Sequence, residues 1–434
     1  MNIIQRDTAV ILRRDNTRNT ILLLDNNSLP TVSPERHFWQ TCAPVNQAIA
    51  EQYNLSVITI RPLMTQFIPI DDETGEFHVL YLMCYQGGTI PDNARWIVLD
   101  DLPEISSALF INREDLLKLL AEPEQPAWYR HEWLETLYQA VSSITDETPQ
   151  QIRSWERSAI WRISTSQNDY YLKLLPEMFA HEAQLTRWLA EQFPTHSPTI
   201  LPDILPNSLC TADYGQVDLS SVSDLAQWQS AIVTYAQMQI HVIDKMDELV
   251  ALGVPQRGLD WLADHLDEFL ADDGHLQRGN NPLSQNEMVS VREAIPRLGD
   301  VIDALQASSL PETLEHGDLC AGQIILHDDR ILITDWSDSA ITCPFFSLAF
   351  FLTGIEQQFH NESTARLQLQ EAYLREWSAY GDLATLTHLY ECANLLADVF
   401  NAMRYHYDIL SQMGQQWEMH NMVTYDLRLF LAKL

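Results

Sequence analysis

The sequence predicts an α+β protein with two domains, on three observations. With 434 residues, the chain is longer than one hydrophobic core usually spans. Strand-like apolar runs dominate residues 1–102, whereas from about residue 224 the apolar positions recur at helical spacing. A short hairpin pattern at 324–333 interrupts this helical region. We therefore expect a mixed-sheet N-terminal domain, followed by a small β-rich lobe and a large helical lobe.

The composition narrows the class of function. The net charge is −34, from 60 acidic and 26 basic residues, which argues against nucleic-acid binding because that needs a basic face. The same charge is compatible with a cationic substrate, but an acidic surface that keeps the protein soluble is the simpler explanation. The six cysteines are scattered without a Cys-x-x-Cys pair, so neither a zinc site nor a disulfide framework is indicated. No signal-peptide pattern or membrane-spanning run is present, and we expect a cytoplasmic protein without membrane contact.

The N-terminal segment is predicted to be a domain of its own. Strands are expected at 8–12, 20–24, 56–60, 77–85 and 94–102, and helices at 43–53 and 112–121, the second capped by Asn112. The prolines in 122–126 mark the best domain boundary. The predicted division is residues 1–125, a linker helix within 126–149, the small lobe at 150–213 and the helical lobe at 214–434.

The small lobe contains a candidate ion pair. A hairpin is predicted at 159–175, and Lys173, one of four lysines in the chain, lies in its apolar second strand. A helix at 177–192 follows, with Glu182 in the middle of its apolar stripe. A carboxylate on a buried face needs a cation, and Lys173 is the nearest candidate. A snorkelling lysine and a solvated glutamate are the alternatives.

The segment 314–338 carries the strongest functional signal. A turn on Asp328-Asp329 would place Gln323 opposite Thr334, with Asp335 one step further, at the open end of the hairpin. Asp318 lies on the loop that enters the hairpin. Three oxygen-bearing side chains therefore converge from Asp318, Gln323 and Asp335, which suits Mg²⁺. The spacing is also that of a phosphotransferase catalytic loop.

This segment resembles the aminoglycoside phosphotransferase and choline kinase superfamily, which has a protein kinase-like fold. The matching residues, over a resemblance that spans roughly 130–434, are His316, Gly317, Asp318, Leu319, Asp335 and Trp336. The resemblance implies ATP and Mg²⁺ as cofactors. It implies that Asp318 is the catalytic base and that His316 supports its loop. Gln323 and Asp335 would hold the metal. Lys173, held by Glu182, would contact the nucleotide phosphates.

Four features depart from that family. Cys320 replaces a histidine, Gln323 replaces the metal-binding asparagine, and Ser347 stands where an aspartate usually supports the loop. The glycine-rich phosphate loop is missing as well, because 154–165 contains no glycine.

The N-terminal segment resembles a degenerate Nudix hydrolase domain. Residues 48–55 occupy the place of the metal-binding helix of that family, and Trp96 with 99–103 resembles its last strand. Of the helix carboxylates that bind Mg²⁺, only Glu51 remains. The resemblance therefore implies a binding or scaffolding domain without Nudix catalysis.

Further helices are predicted at 225–243, 259–270, 289–305, 363–380 and 383–411. In the last of these, Arg404 and Asp408 are four residues apart, and an ion pair on the helix face is expected.

Together the patterns and the resemblance imply an ATP-dependent phosphotransferase that moves the γ-phosphate to a hydroxyl group of a small molecule. The alternative is a pseudokinase, a nucleotide-binding or interaction module without turnover, which the departures favour. A substrate-binding scaffold without nucleotide is the third class. The sequence names neither the substrate nor the oligomeric state.

Overall fold

The computed structural model describes residues 2–15, 18–71, 73–106, 111–120, 126–130, 132–215, 217–359 and 362–434. The chain divides into two compact units. The first unit comprises Met1–Pro176 and Pro202–Thr211, and the second comprises Glu177–Leu201 and Ala212–Leu434. Sheets and helices both occur, so the expected α+β class is confirmed.

The first unit contains ten strands and three α-helices among its described residues. The strands are β1 (Asn2–Asp15), β2 (Arg18–Leu24), β3 (Thr31–Val32), β4 (Leu55–Pro69), β5 (Thr74–Gly88), β6 (Ala94–Val98), β7 (Gln150–Trp155), β8 (Ser158–Ser164), β9 (Asp169–Leu174) and β10 (Ser208–Ala212). The helices are α1 (Ala43–Tyr53), α2 (Arg113–Leu119) and α3 (Trp133–Val141).

The N-terminal sheet is mixed, as predicted. Its order is β4-β5-β1-β2-β6, with β3 paired to β1. β1 runs parallel to β5, and the pairs β1–β2, β2–β6 and β4–β5 are antiparallel. Alternate residues of β1, among them Ala9 and Ile11, face a core that α1 covers with Val45 and Ile49. The predicted helix cap is also present, because the Asn112 side chain accepts a hydrogen bond from Asp115 N.

The second sheet of this unit has the order β10-β9-β8-β7 and includes the predicted hairpin, β8–β9. Strand β7, which was not predicted, joins this sheet to the first one. The Gln151 side chain accepts a hydrogen bond from Thr59 N at 2.9 Å and donates to Thr59 O at 2.6 Å. Ser154 Oγ donates to Ile60 O at 2.6 Å. The first unit therefore unites the predicted N-terminal domain with strands of the predicted small lobe.

The second unit is mostly helical in the part of it that the structure describes. Its helices are α4 (His181–Gln192), α5 (Leu225–His241), α6 (Met246–Ala251), α7 (Leu259–Ala271), α8 (Asp273–Leu276), α9 (Gln285–Glu293), α10 (Ile295–Gln306), α11 (Phe346–Phe351), α12 (Glu362–Glu376), α13 (Leu383–Arg404) and α14 (Met422–Leu431). Its strands are β11 (Thr313–Glu315), β12 (Ile324–His327), β13 (Arg330–Ile333) and β14 (Ala340–Thr342). A π-helical turn, Tyr405–Leu410, continues α13.

Some predicted boundaries differ from the structure. The predicted helix at 289–305 is two helices, because Pro296 lacks an N–H and starts a new helix at its first turn. The linker helix, predicted within 126–149, spans only Trp133–Val141. Of the predicted breaker segment, 122–125 lies outside the described residues, and the four-part division of the chain stays a prediction. Among the described residues, no helix is long and apolar enough to cross a bilayer.

Candidate active site

The loop between β11 and β12 presents Asp318. Strand β11 pairs with β14 and ends at Glu315, and the chain then turns through Gly317, whose φ is 78°. This left-handed conformation favours glycine, and a Cβ at this position would collide with the carbonyl oxygen of Asp338. The turn leaves the Asp318 side chain exposed. Glycine is therefore required at position 317 for the loop to present this carboxylate.

His316 is fully buried and ties the loop to the hairpin. Its Nε2 donates to Thr334 O at 2.9 Å, and its Nδ1 accepts from Asp318 N at 3.3 Å. The ring also lies against Trp336, with ring centroids 4.7 Å apart. One nitrogen donates and the other accepts, so this network assigns a neutral imidazole with its proton on Nε2.

The hairpin has the predicted register. His327 pairs with Arg330 across the two-residue turn, and Ile324 pairs with Ile333. At the open end, Thr334 N donates to Gln323 O at 3.0 Å, and Thr334 Oγ1 donates to the same oxygen at 3.0 Å. These bonds fix the backbone of Gln323 opposite Thr334, which directly precedes Asp335.

Asp335 stands at a strained corner. Its φ is 64°, which is uncommon for a residue other than glycine and is often found at functional sites. Ser337 Oγ donates to Asp335 Oδ1 at 2.9 Å and orients the carboxylate. Asp335 is half-buried, whereas the next three residues are buried.

The two candidate carboxylates share Cys320 as a neighbour. The pKa of the Cys320 thiol is raised, first by desolvation and then by the negative charges of Asp318 and Asp335. Within the described ranges, no group of three or more His, Cys, Asp or Glu side chains is arranged to hold a metal ion. The predicted third oxygen ligand is the amide of Gln323, and two carboxylates with one amide oxygen suit the chemistry of Mg²⁺.

A buried polar network underlies the loop, and sequence reasoning missed it. Glu315 is 1% exposed, and its carboxylate accepts hydrogen bonds from Ser347 N at 2.9 Å and Gln239 Nε2 at 2.9 Å. Tyr235 Oη donates to Ser347 Oγ at 3.0 Å and accepts from His316 N at 3.0 Å. Burial raises the pKa of Glu315 to about 8. The network thus holds the loop that presents Asp318, and Ser347 is part of this network.

The prediction that Arg404 pairs with Asp408 is wrong. Arg404 is buried and forms an ion pair with Asp338 at 2.5 Å, and it also donates to Gly317 O at 3.4 Å. Asp408 instead pairs with Arg257, whose Nε lies 2.9 Å from Asp408 Oδ2. The expected pair assumed α-helical spacing, but the chain turns into a π-helix at Tyr405, so residues four apart no longer lie above each other. Arg404 instead holds the loop that contains Asp318, through its contacts with Asp338 and Gly317 O.

Lys173 and Glu182 belong to different units. Lys173 is half-buried in β9 of the first unit. Glu182 lies in the first turn of α4 in the second unit and is 1% exposed, so the expectation that it occupies a buried helix face is confirmed. The pairing of these two residues stays a prediction.

Helix α1 occupies the position expected for the metal-binding helix of a Nudix domain, but it lacks most of the carboxylates of such a site. Glu51 is its only acidic residue, and Gln47 Nε2 donates to Glu51 Oε1 at 2.8 Å. One carboxylate engaged by a neighbouring amide does not form a site for Mg²⁺ on a diphosphate. The Nudix-like fold itself stays a prediction.

The loop of His316, Gly317 and Asp318, the hairpin, and the corner at Asp335 and Trp336 all lie in the mostly helical second unit. The sequence profile of the phosphotransferase enzyme family matches residues 148–386, which is more than half of the chain. The chain belongs to this family.

Solved structures with remote similarity come from small-molecule kinases. An ethanolamine kinase of Plasmodium vivax aligns at 12% identity and a TM-score of 0.48, over 74% of this chain and 95% of that one. The choline kinase LicA of Streptococcus pneumoniae aligns at 13% identity and 0.45, over 70% and 99%. The aminoglycoside phosphotransferase APH(3'')-Id of Streptomyces rimosus aligns at 15% and 0.40, over 61% and 98%. No curated protein matches the chain.

Sequence reasoning could have found one of the missed residues. Glu315 is a single charge in a short strand directly before the His-Gly-Asp loop, the same kind of signal that identified Glu182. No local pattern distinguished the partner of Arg404, because Asp338 lies 66 residues away in sequence.

Proposed function

We propose that this protein is an ATP-dependent phosphotransferase that moves the γ-phosphate of ATP to a hydroxyl group of a small molecule. The observation that carries the proposal is the pair of hydrogen bonds of His316, which joins the Asp318 backbone to Thr334, beside Asp335. Such a loop holds the proposed base, Asp318, and the proposed metal ligand, Asp335, in fixed positions relative to each other. Positioning of this kind is the main requirement of phosphoryl transfer.

In this reaction Asp318 accepts the proton of the substrate hydroxyl. Its side chain is exposed, while its backbone is fixed through His316, so a substrate can reach it without reordering the loop. As the hydroxyl oxygen forms its bond to the γ-phosphorus, the bond from that phosphorus to ADP breaks, and the proton passes to Asp318.

Asp335 and Gln323 would hold Mg²⁺, and family membership supports ATP as the phosphoryl donor. A bound Mg²⁺ neutralises charge on the phosphate oxygens. The Ser337 hydroxyl keeps Asp335 oriented for such a role, and the fixed backbone of Gln323 limits where its amide reaches. The roles of Lys173, in contacting the phosphates, and of Glu182, in holding Lys173, stay predictions.

The acidic charge of the chain supports a cationic acceptor among the small-molecule hydroxyl substrates. For the Nudix-like N-terminal segment we propose a binding or scaffolding role without diphosphate hydrolysis, because Glu51 is the sole carboxylate of α1.

A nucleotide-binding module without turnover is the second candidate, and two features of the site favour it. Cys320 places a thiol next to both Asp318 and Asp335, and Gln323 carries its amide on one methylene more than the asparagine of the family. A soft thiol near the site does not ligate Mg²⁺, and a longer amide arm fits octahedral geometry less well.

The test is release of ADP from ATP and MgCl₂ in the presence of a panel of cationic and neutral small alcohols. Asp318→Asn keeps the shape and removes proton acceptance, so turnover should fall about 10²–10⁴-fold while ATP still binds. Asp328→Asn is the matched control, because Asp328 is exposed on the hairpin turn in a left-handed conformation that asparagine also tolerates. Near-normal turnover in Asp318→Asn would exclude Asp318 as the base. ATP binding without turnover on any alcohol would favour the module.

A further inference from the structure

Helix α14 packs on α13 partly through buried polar side chains. Asn394, Asp398 and Asn401 are four and three residues apart, so they share one face of α13. Asp426 of α14 bonds to Asn401, and Lys433, just after α14, pairs with Asp398 at 2.7 Å and donates to Asn394 O at 2.8 Å. Asp398, Asn401 and Asp426 are all buried. Buried polar groups cost free energy that apolar side chains would not, so their presence between two helices indicates a role beyond packing.

Asn401 connects Asp426 to Arg404. Its Nδ2 donates to Asp426 Oδ2 at 2.9 Å, and its Oδ1 accepts from Arg404 Nη2 at 2.8 Å. A guanidinium group only donates hydrogen bonds, so the amide oxygen of Asn401 must face Arg404. The amide nitrogen then needs an acceptor on its other side, which Asp426 supplies. The orientation of Asn401 therefore depends on Asp426.

Arg404 continues this connection to the loop that presents Asp318. Its Nη2 donates to Gly317 O at 3.4 Å as well as to Asn401. Its Nη1 donates to Asp338 O at 3.2 Å and pairs with Asp338 Oδ1 at 2.5 Å. Because one nitrogen bonds to both Asn401 and Gly317 O, Asn401 helps to set the plane of the guanidinium group. A shift of the Asn401 amide is therefore passed to the backbone directly before Asp318.

We propose that Asp426 is a positioning residue for the loop of Asp318. It holds Asn401, and Asn401 orients Arg404 on Gly317 O. The part of this inference that concerns turnover rests on the proposed phosphotransferase function. Asp426 acts through Asn401 and Arg404 and not on the reacting atoms.

The groups around Asp426 determine its protonation. Burial is the main cause that raises the pKa of Asp426, to about 8, while the hydrogen bond from Asn401 opposes this rise. The negative charge of Asp398 also raises the pKa, and the positive charges of Arg404 and Lys433 lower it. At pH 7 the carboxyl group is therefore mostly protonated, and its carbonyl oxygen still accepts from Asn401. Asparagine has the same shape and offers the same oxygen, so Asp426→Asn should preserve the positioning.

Cys320 reports the position of the loop without any turnover. It lies two residues after Asp318 and is exposed, whereas the other five cysteines are buried. Labelling of the full chain with iodoacetamide, followed by mass analysis of peptides, separates opening of the loop from opening of the whole fold. Asp426→Leu should raise the labelling rate of Cys320 about threefold or more, without a matching rise at the buried Cys343.

Three variants separate positioning from stability. Leu427→Ala is the matched control, because it removes a buried side chain from the same helix and should lower the melting temperature while Cys320 labels as in the parent. Asp426→Asn should also label as the parent does. The double variant Asn401→Leu with Asp426→Leu removes donor and acceptor together, so stability should recover while the labelling of Cys320 stays fast.

Turnover tests the same connection in the reaction. With ATP, MgCl₂ and an accepted alcohol, Asp426→Leu should lower the single-turnover rate of the folded protein about tenfold without changing ATP affinity, and Asp426→Asn should keep the parent rate. If the parent releases no ADP with any alcohol, the phosphotransferase proposal fails, and the labelling of Cys320 still decides whether Asp426 positions the loop. Equal labelling of Cys320 in Asp426→Leu and Leu427→Ala would overturn the proposal. Equal turnover rates of these two variants, in a protein that turns over, would overturn it as well.

Discussion

His316 is a buried residue that connects two parts of the candidate site. Its Nε2 donates to Thr334 O, and its Nδ1 accepts from Asp318 N. The ring therefore connects the loop to the hairpin. The supporting network beneath it ends in Glu315, which is buried without a basic side chain among its hydrogen-bond partners.

Glu315 makes the stability of the fold depend on pH. Burial raises its pKa from 4.5 to about 8. An unfolded chain therefore releases this proton near pH 4.5, whereas the folded chain holds it to about pH 8, and the free energy of unfolding falls as pH rises through that window. Glu315→Gln removes the titrating group, so the variant should gain thermal stability relative to the parent between pH 5 and pH 8. Melting temperatures of both proteins across this range check the prediction. A constant difference between the two curves would contradict it.

Among the positions that differ from the family pattern, Gln323 is the one on which we expect activity to depend most, because it replaces the metal-binding asparagine. Asparagine carries the same carbonyl oxygen on one methylene less, and Mg²⁺ tolerates misplaced ligands poorly. Gln323→Asn should therefore raise Mg²⁺-dependent turnover, and Mn²⁺ should partly rescue the parent protein. Initial rates against the concentration of each metal measure both effects, with Gln285→Asn, at an exposed helix start, as the control. Loss of turnover in Gln323→Asn would mean that the glutamine is a tuned ligand.

Helix α13 and the hairpin are the elements that shape the site. The hairpin fixes Gln323 and Asp335 through its register, which follows from its apolar pattern and its two-residue turn. Helix α13 contributes Arg404 from its last turn, just before the π-helical segment redirects the chain. The helix end thereby supports the carbonyl of Gly317 and the carboxylate of Asp338.

Arg404→Met tests this support. The change removes the cation from a buried carboxylate, Asp338, and should lower the free energy of unfolding by about 3–5 kcal/mol. Turnover of the folded fraction should fall as well, because the loop that presents Asp318 loses a hydrogen bond to Gly317 O. Urea unfolding and single-turnover rates measure the two effects.

The double variant Arg404→Met with Asp338→Leu separates stability from positioning. Replacing both charges with apolar groups should restore much of the stability. Turnover should remain low, because the bond to Gly317 O is still missing. Full recovery of turnover would show that Arg404 has no positioning role.

The first compact unit of the molecule contains two sheets. The N-terminal sheet and the β7–β10 sheet lie in one compact unit, and the Trp39 and Trp155 rings also meet edge to face, 5.4 Å apart. Gln151 satisfies both backbone groups of Thr59, which would otherwise be buried without partners. We therefore expect the N-terminal segment to be a structural part of the small lobe.

Gln151→Leu tests that expectation. The substitution leaves the N–H and C=O of Thr59 unsatisfied and should lower the free energy of unfolding by about 3 kcal/mol. Gln150→Leu is the control, because Gln150 is exposed in the same strand and should change stability little. Urea unfolding of both variants gives the comparison. Equal midpoints would mean that the two sheets are only loosely coupled.

The sequence by itself determined the α+β class, most helices and strands, the hairpin register and the membership of the catalytic loop in a phosphotransferase pattern. These features are local, because apolar periodicity, turn residues and short spacings act within a few residues of one another. Tertiary structure alone decided the partners of the buried polar groups. Arg404 pairs with Asp338 instead of Asp408, Glu315 anchors the loop, and Asp426 bonds to Asn401. The physical reason is that a buried charge or amide is satisfied by whichever group the fold brings near, at a distance in sequence that no local pattern encodes.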